Sequence, residues 1–489
     1  MNILLRAARL VGQNEKRPLH STLEYYILNM NNFINRESEL AQLERQYGST
    51  SGSLVVLYGR RRLGKTFLLR HFAVDKSHCY FMADRAGECD LRRSLAKAMA
   101  LALKEPILET AEYASWYDLF AAFDRFRPSD QRFVLIFDEY QYLCQVQPAF
   151  SSFLQKWWDE HWCRANMVLI LCGSVTSMMY KETLAATSPL YGRASAQLLL
   201  RPIGFSYISK FLPDKNCTER LEFFALTGGV PRYLHLASPY PNFKEALAAL
   251  VLHPDGILHN EARQLLQEEI QTPNQCWSIL NAIGSGANRI SEIAGRTGQP
   301  ANKLTRYLDL LKDLHLVRRE TPVLEKNPAK SKKGIYVVSD PFFRMWFGAI
   351  YPYMSFFEFA ETEPAYSRIE PLINKLIAEC YEEVCRQWIR ERALHFNAAS
   401  VGRQWSSAYE IDVAAVNTRF ELTVVGECKW SENKIGISIF RELEEKVLSY
   451  NLQMAEDCCF VLFSKSGFTS DLEKLAAEEK NIVLASGLG

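Results

Sequence analysis

The strongest constraint that this chain places on its own fold lies between Leu54 and Thr66. An unbroken apolar run from Leu54 to Tyr58 has the length and composition of a short buried strand. It stops at Gly59, and an amphipathic helical pattern begins at Lys65. Between the two lies G-x-x-x-x-G-K-T, with Gly59, Gly64, Lys65 and Thr66 in the defining places and Arg60, Arg61, Arg62 and Leu63 filling the loop. Glycines let successive backbone N–H groups converge on phosphate oxygens, and the N-terminus of the following helix adds its dipole. The lysine can bridge the outer phosphates and the threonine hydroxyl can hold Mg²⁺. The stretch therefore reads as the phosphate site of ATP or GTP.

A site of this kind needs carboxylates at the ends of neighbouring strands. Phe133–Phe137 is a second continuous apolar run, and it ends on Asp138 and Glu139. Ligands gather at the carboxyl ends of parallel strands, so these acids face the phosphates. Asp138 is assigned to the Mg²⁺ shell and Glu139 to the catalytic base. Met167–Cys172 is a third such run, and Ser174 behind it is placed to hydrogen-bond the γ-phosphate or the attacking water. Strands alternate with helical stretches at 65–73, 88–104, 115–126 and 148–163, the pattern of a parallel α/β sheet.

At 489 residues the chain exceeds one hydrophobic core and predicts several domains. Its net charge of +1 provides no global attraction to nucleic acid, so any basic face must be local. The 12 cysteines are scattered without a C-x-x-C pair, which suits reduced thiols and a cytoplasmic location. No apolar run approaches the roughly 18 residues that span a bilayer, so no membrane partner is expected. The first 29 residues lack the apolar core and small-residue site of a signal peptide. They read as an appended extension, with Met30 a candidate start.

FINRESEL, GRRRLGKT, VLIFDEYQYL, LILCGS, SPLYGR and GGVPRYL occur in that order. In this the chain resembles the archaeal-type ATPase family, which is similar to the AAA+ and STAND branches of P-loop proteins, over roughly residues 33–270. The family usually carries glycine where this chain has Asn35, a residue that tolerates a left-handed turn. The resemblance implies that Arg36 and Glu37 cap the nucleotide pocket near the base. It also implies that Arg193 senses the γ-phosphate or acts as an arginine finger, and that Pro231 and Arg232 form a sensor-like motif in a helical lid. If Arg193 acts in trans, the protein is a homo-oligomer.

Farther along, Ile290–Glu320 has helix-turn-helix rhythm, with Leu304, Tyr307, Leu308 and Leu311 at helical spacing and a strand from Val317. Residues 289–333 hold eleven Lys and Arg against five Asp and Glu, a local basic excess that suits DNA phosphates or a solvated face equally. The aromatic residues of 335–360 read as a packing plug.

The stretch 402–430 reads as two strands, one carrying Asp412 and the other Glu427 and Lys429. Residues two apart on a strand share a face, so Glu427 and Lys429 point together and a hairpin brings Asp412 to them. Two carboxylates and a lysine can support Mg²⁺-assisted phosphodiester hydrolysis. With Gly402, Arg403, Trp405, Glu410, Cys428 and Trp430, these residues resemble the PD-(D/E)xK nuclease core and, more closely, the DUF234 family. That pattern includes an upstream helical glutamate: Glu382 fits best, with Glu379 or Glu383 able to substitute.

The expected architecture is α/β. It comprises an extension (1–32), a P-loop NTPase parallel sheet (33–200), a helical lid (201–272), a winged helix (273–335), an aromatic linker (336–370) and a restriction-endonuclease-like domain (371–489). The expected function is ATP-dependent action on DNA. A signalling ATPase with a non-catalytic C-terminal domain, or a DNA-binding regulator, are the alternatives.

Overall fold

The computed structural model describes residues 34–174, 176–270 and 272–488. The extension expected over 1–32 lies outside them. The three apolar runs form strands β1 (Ser53–Tyr58), β3 (Phe133–Asp138) and β4 (Met167–Gly173), joined by β2 (His78–Met82) and β5 (Ala196–Leu199). They make one parallel sheet in the order β2-β3-β4-β1-β5. β5 was not legible: it is short and half-exposed, and it is recruited by pairing with β1 rather than by its own apolar pattern.

Alternate residues of each strand enter opposite layers. Leu54, Val56, Leu135 and Phe137 pack with α3 (Glu88–Leu103), α4 (Trp116–Phe126) and α6 (Phe150–Glu160), among Trp116, Phe120, Phe123 and Trp162; the short α5 (Gln141–Val146) precedes α6. Ser115 and Asp118 close a capping box on α4. Val55, Leu57, Val134 and Ile136 face α1 (Glu37–Tyr47) and α2 (Lys65–Ala73) on the other side. Asn35 adopts φ 55°, the left-handed turn that asparagine tolerates.

That second layer continues through α7 (Cys217–Thr227), α8 (Pro231–Ala237) and α9 (Glu261–Glu269). Next come α10 (Pro273–Gly284), α11 (Ile290–Thr297) and α12 (Ala301–Asp313), followed by an antiparallel ribbon of β6 (Val317–Glu320) and β7 (Ile335–Val338). Leu304, Leu308 and Leu311 form the buried stripe of α12. Behind the ribbon, α13 (Pro341–Met345) opens an aromatic cluster in which Trp277 meets Trp346, Phe347 and Tyr351 at 4.9–5.1 Å between ring centroids.

The C-terminal part begins with α14 (Thr362–Glu391), which starts before Pro371 and carries that proline inside it. Burial of Ile369, Ile373 and Ile377 on one stripe holds the two sides of the proline in line. Strands β8 (Ser400–Trp405), β9 (Glu410–Val416), β10 (Leu422–Lys429), β11 (Met454–Ser464) and β12 (Ile482–Ser486) form a mixed sheet in the order β12-β11-β10-β9-β8. Helices α15 (Ile437–Ser449) and α16 (Ser470–Glu478) complete it. The region 402–430 thus holds parts of three strands, not two. β8 was hidden because its residues are mostly polar and half-exposed. All twelve cysteines are free thiols. No helix among the described residues is long and apolar enough to cross a membrane.

Candidate functional site

The phosphate loop joins β1 to α2 and lies at the carboxyl end of the parallel sheet. Gly59 has φ 150°, and a Cβ there would meet the Leu200 carbonyl oxygen at 2.5 Å. Gly64, left-handed at φ 88°, is the N-cap of α2. Lys65 is buried, and its Nζ donates to the carbonyls of Gly59 (2.7 Å) and Arg60 (3.0 Å). Thr66 Oγ1 donates to Asp138 Oδ2 at 2.8 Å, and the Tyr80 hydroxyl donates to the same oxygen. Asp138 is 1% exposed, and its Oδ1 accepts from the Glu139 amide at 2.9 Å. A hydroxyl beside a buried carboxylate is a donor set that suits a hard cation such as Mg²⁺.

Glu139 sits at φ 54°, a left-handed turn directly after β3. Its Oε2 accepts from Ser174 Oγ at 2.8 Å and from Gln141 Nε2. Ser174 follows β4, the neighbour of β3 in the sheet, and this adjacency brings the two together.

The arginines of the loop are bound by distant acids. Arg60 Nη1 lies 2.6 Å from Asp340 Oδ2, a pair 7% and 4% exposed, and the guanidinium sits over Phe343. Its Nε and Nη2 are buried without partners. Arg61 donates to the Tyr142 hydroxyl (3.0 Å) and pairs with Glu268 (3.0 Å), while its backbone amide donates to Glu269 Oε1 (3.1 Å). Arg62, left-handed at φ 69°, pairs with Glu261. Leu63 is buried, and Arg36 reaches its carbonyl (3.2 Å) and that of Arg201 (2.8 Å), bracing the loop from behind. Glu37 is exposed at the start of α1.

Pro231 is the first residue of α8, and Arg232 lies half-buried on the same turn. Arg193 is not brought to the phosphate loop. It makes a two-pronged pair with Asp159 at 2.8 and 2.7 Å, and nearby Ser195 bonds to Leu54, at the end of β1 away from the loop.

In the C-terminal sheet, β9 runs antiparallel to β10 with Val413 opposite Gly426, so Asp412 and Glu427 are neighbours across the hairpin. Burial, then the charge of Glu427, raises the Asp412 carboxyl to about 6. Burial, then Asp412, raises Glu382 to about 7. The three carboxylates share a neighbourhood but do not converge as metal ligands, and no such group exists among the described residues. Each carboxylate already has partners. Pairing of β9 with β8 slips by one residue between Ile411 and Ala414, around Asp412, whose Oδ2 accepts from the Cys428 amide at 3.0 Å. Glu427 is taken by Lys429 (2.8 Å) and Lys446 (3.3 Å). Of the alternatives, Glu379 lies 3.9 Å from Lys375. Burial alone would raise Glu383, but Arg318, Arg386 and Arg390 outweigh it and hold that carboxyl well below the usual range.

A family model described as an ATPase domain predominantly from Archaea matches residues 33–237. The uncharacterized protein MJECL04 of Methanocaldococcus jannaschii is 30% identical over 406 residues, 82% of this chain and 88% of that protein. The chain belongs to the archaeal-type ATPase family. A second model, DUF234, described as archaeal and bacterial proteins of unknown function, matches residues 346–443. Among solved structures, the chain is similar to the Walker-type ATPase PABY2304 of Pyrococcus abyssi: 21% identity, 65% of this chain and 96% of that one, TM-score 0.49. It is also similar to the Aeropyrum pernix ORC2 protein in its ADPNP and ADP complexes: 14% identity, 71% and 97% coverage, TM-score 0.42.

Several residues around the nucleotide loop of this archaeal-type ATPase escaped the sequence. Gln141 and Tyr142 stand two and three places after Glu139, and a polar residue so near the strand end was a usable signal. Tyr80 aligns through β2 pairing with β3, and Glu261, Glu269 and Asp340 arrive from far along the chain, with no local mark.

Proposed function

We propose that this archaeal-type ATPase hydrolyses ATP with Mg²⁺ held by Thr66 and Asp138, and that it uses the cycle to control a DNA-bound C-terminal half. The observation that carries the reading is the placement of Thr66, Asp138, Glu139 and Ser174 together at the carboxyl end of one parallel sheet. Bound Mg²⁺ would neutralise charge on the outer phosphates. Glu139, held by Ser174 and Gln141, is poised to orient a water or take its proton. Lys65 needs only to turn from two carbonyls to reach a phosphate. Arg193, paired with Asp159, would act on a neighbouring subunit's nucleotide.

Contact with DNA is supported by a face of exposed cations. Lys303 and Arg306 stand on the outer side of α12, and Lys326, Lys330, Lys332 and Lys333 stand on the connection between β6 and β7. Such a disposition supports the reading of a winged helix that meets phosphates. In the C-terminal half, carboxyls raised by burial and then by one another's charge would be relieved by a nearby cation, which supports a nuclease-like role for Asp412, Glu427, Lys429 and Glu382. Engagement of Glu427 by two lysines favours the second reading, in which this domain binds without cutting.

The test is ATP turnover and DNA cleavage by the full chain, with Mg²⁺ or Mn²⁺, on linear, circular and single-stranded DNA. Lys65→Ala should abolish turnover, and Glu139→Gln should slow it by about 10²- to 10⁴-fold. Cleavage lost in Asp412→Ala identifies the second catalytic centre. Turnover without cleavage on any substrate supports the binding-module reading.

A further inference from the structure

Helix α9 holds the phosphate loop from both of its ends. At its C-terminal end Glu269, 4% exposed, accepts from the Arg61 amide through Oε1, while its Oε2 is buried without a partner. Beside it Glu268 pairs with the Arg61 guanidinium at 3.0 Å. At the other end Glu261 pairs with Arg62 and accepts the Tyr233 hydroxyl from α8. The loop lysine is meanwhile folded inward on the carbonyls of Gly59 and Arg60.

Backbone amides and basic side chains of such a loop are the groups that phosphate oxygens use. Here an amide and two guanidinium groups are already held by carboxylates, the acceptor that most resembles a phosphate oxygen in charge and geometry. A phosphate cannot take the Arg61 amide while Glu269 holds it, and two anions in one buried site repel.

We propose that α9 is an internal latch on the phosphate loop, its carboxylates standing in for nucleotide phosphates, so that nucleotide binding and release of the helix are one event. The inference rests on reading the loop as a nucleotide site. It gives the helical segment a direct way to register nucleotide, because Glu261 also holds Tyr233 in α8. The unpartnered Glu269 oxygen makes the closed contact a costly one that a competing anion can displace.

The test is titration of the full chain with a fluorescent ATP analogue in the presence of Mg²⁺, using wild type, Glu269→Gln, Glu268→Gln and Lys65→Ala. Removing the buried charge without changing shape should tighten binding by about tenfold in Glu269→Gln. The exposed Glu268→Gln change should tighten it by a smaller factor. That variant leaves the buried contact in place, so the test stands if Glu269→Gln fails to fold. In wild type, amide hydrogen exchange over 261–269 should speed up when the analogue binds. Unchanged or weaker binding in both glutamate variants, with Lys65→Ala still abolishing it, overturns the latch and leaves the nucleotide site intact. Wild-type binding by Lys65→Ala overturns both.

Discussion

Glu269 illustrates how a single side chain is shaped by its surroundings. Burial is the largest influence and raises its carboxyl from 4.5 to about 7, against the opposing pull of the Arg61 amide, Lys65, Arg60 and Arg61. A carboxyl that binds its proton more tightly in the folded chain adds stability below its unfolded value. That contribution is lost as pH rises through about 7. From this group the folded chain should gain urea resistance as pH falls from about 8 to about 5. Glu269→Gln cannot titrate, so its urea midpoint should depend less steeply on pH over that window. Equal slopes in the two proteins would remove Glu269 as the source. At the same scale, Asp138 and Glu139 were legible because they end an apolar run. Of their partners, Ser174 closes its own apolar run and Gln141 lies two places beyond Glu139, whereas Tyr80 is brought in by strand order alone.

Among the elements, the β6–β7 ribbon shows how packing divides a basic segment into used and unused charges. Arg318 pairs with Glu320 and Glu383 at 2.5 Å each, and Arg319 donates to the Pro328 and Ser331 carbonyls. Glu320 in turn holds Arg403 of β8 at 2.5 Å. The connection after β6 docks on β8 as well, with the Val323 amide on the Arg403 carbonyl at 2.9 Å. These arginines are structural, whereas the cations that stand exposed include Lys303 and Arg306 of α12 and Lys326, Lys330 and Lys332 of the connection. Lys303→Ala with Arg306→Ala should weaken non-specific DNA binding and reduce the slope of log K against log salt by about 2. Arg318→Ala, by contrast, should act chiefly on stability. A salt slope unchanged in the double variant would move the DNA face elsewhere.

At the scale of the molecule, one apolar core runs from the inner face of the nucleotide sheet through the helical segment and aromatic cluster. It extends to the sheet of β8–β12, taking in Val55, Phe223, Trp346, Ile377 and Val424. The Arg60–Asp340 pair crosses the same boundary as a buried ionic contact between the phosphate loop and α13. Sequence segments that look like separate domains therefore share one apolar cluster. Trp346 is at the centre of the aromatic cluster, with its Nε1 donating to the His259 carbonyl at 3.4 Å. Trp346→Ala should destabilise the fold by about 3 to 5 kcal/mol. It should also weaken nucleotide binding, because the cluster supports α13 behind Arg60. A melt in which the ATPase part keeps its wild-type transition would argue against this coupling.

The sequence by itself determined the elements whose physics is local. The β1–loop–α2 unit, the apolar strands with carboxylates at their ends, the α10–α12 rhythm and the helical restarts after the aromatic stretch all follow from periodicity, glycine placement and apolar runs. Tertiary structure alone decided what each charge meets. Strands without a strong apolar pattern, β5 and β8, exist because a neighbour offers an edge to pair with. Asp412 and Glu427 meet across the hairpin as their spacing implied, but the partners each carboxylate takes, the Cys428 amide for one and Lys429 and Lys446 for the other, come from the packing around them. The acids on the phosphate loop come from positions 208 and 280 residues away, and electrostatic pairing over such separations leaves no trace in local sequence.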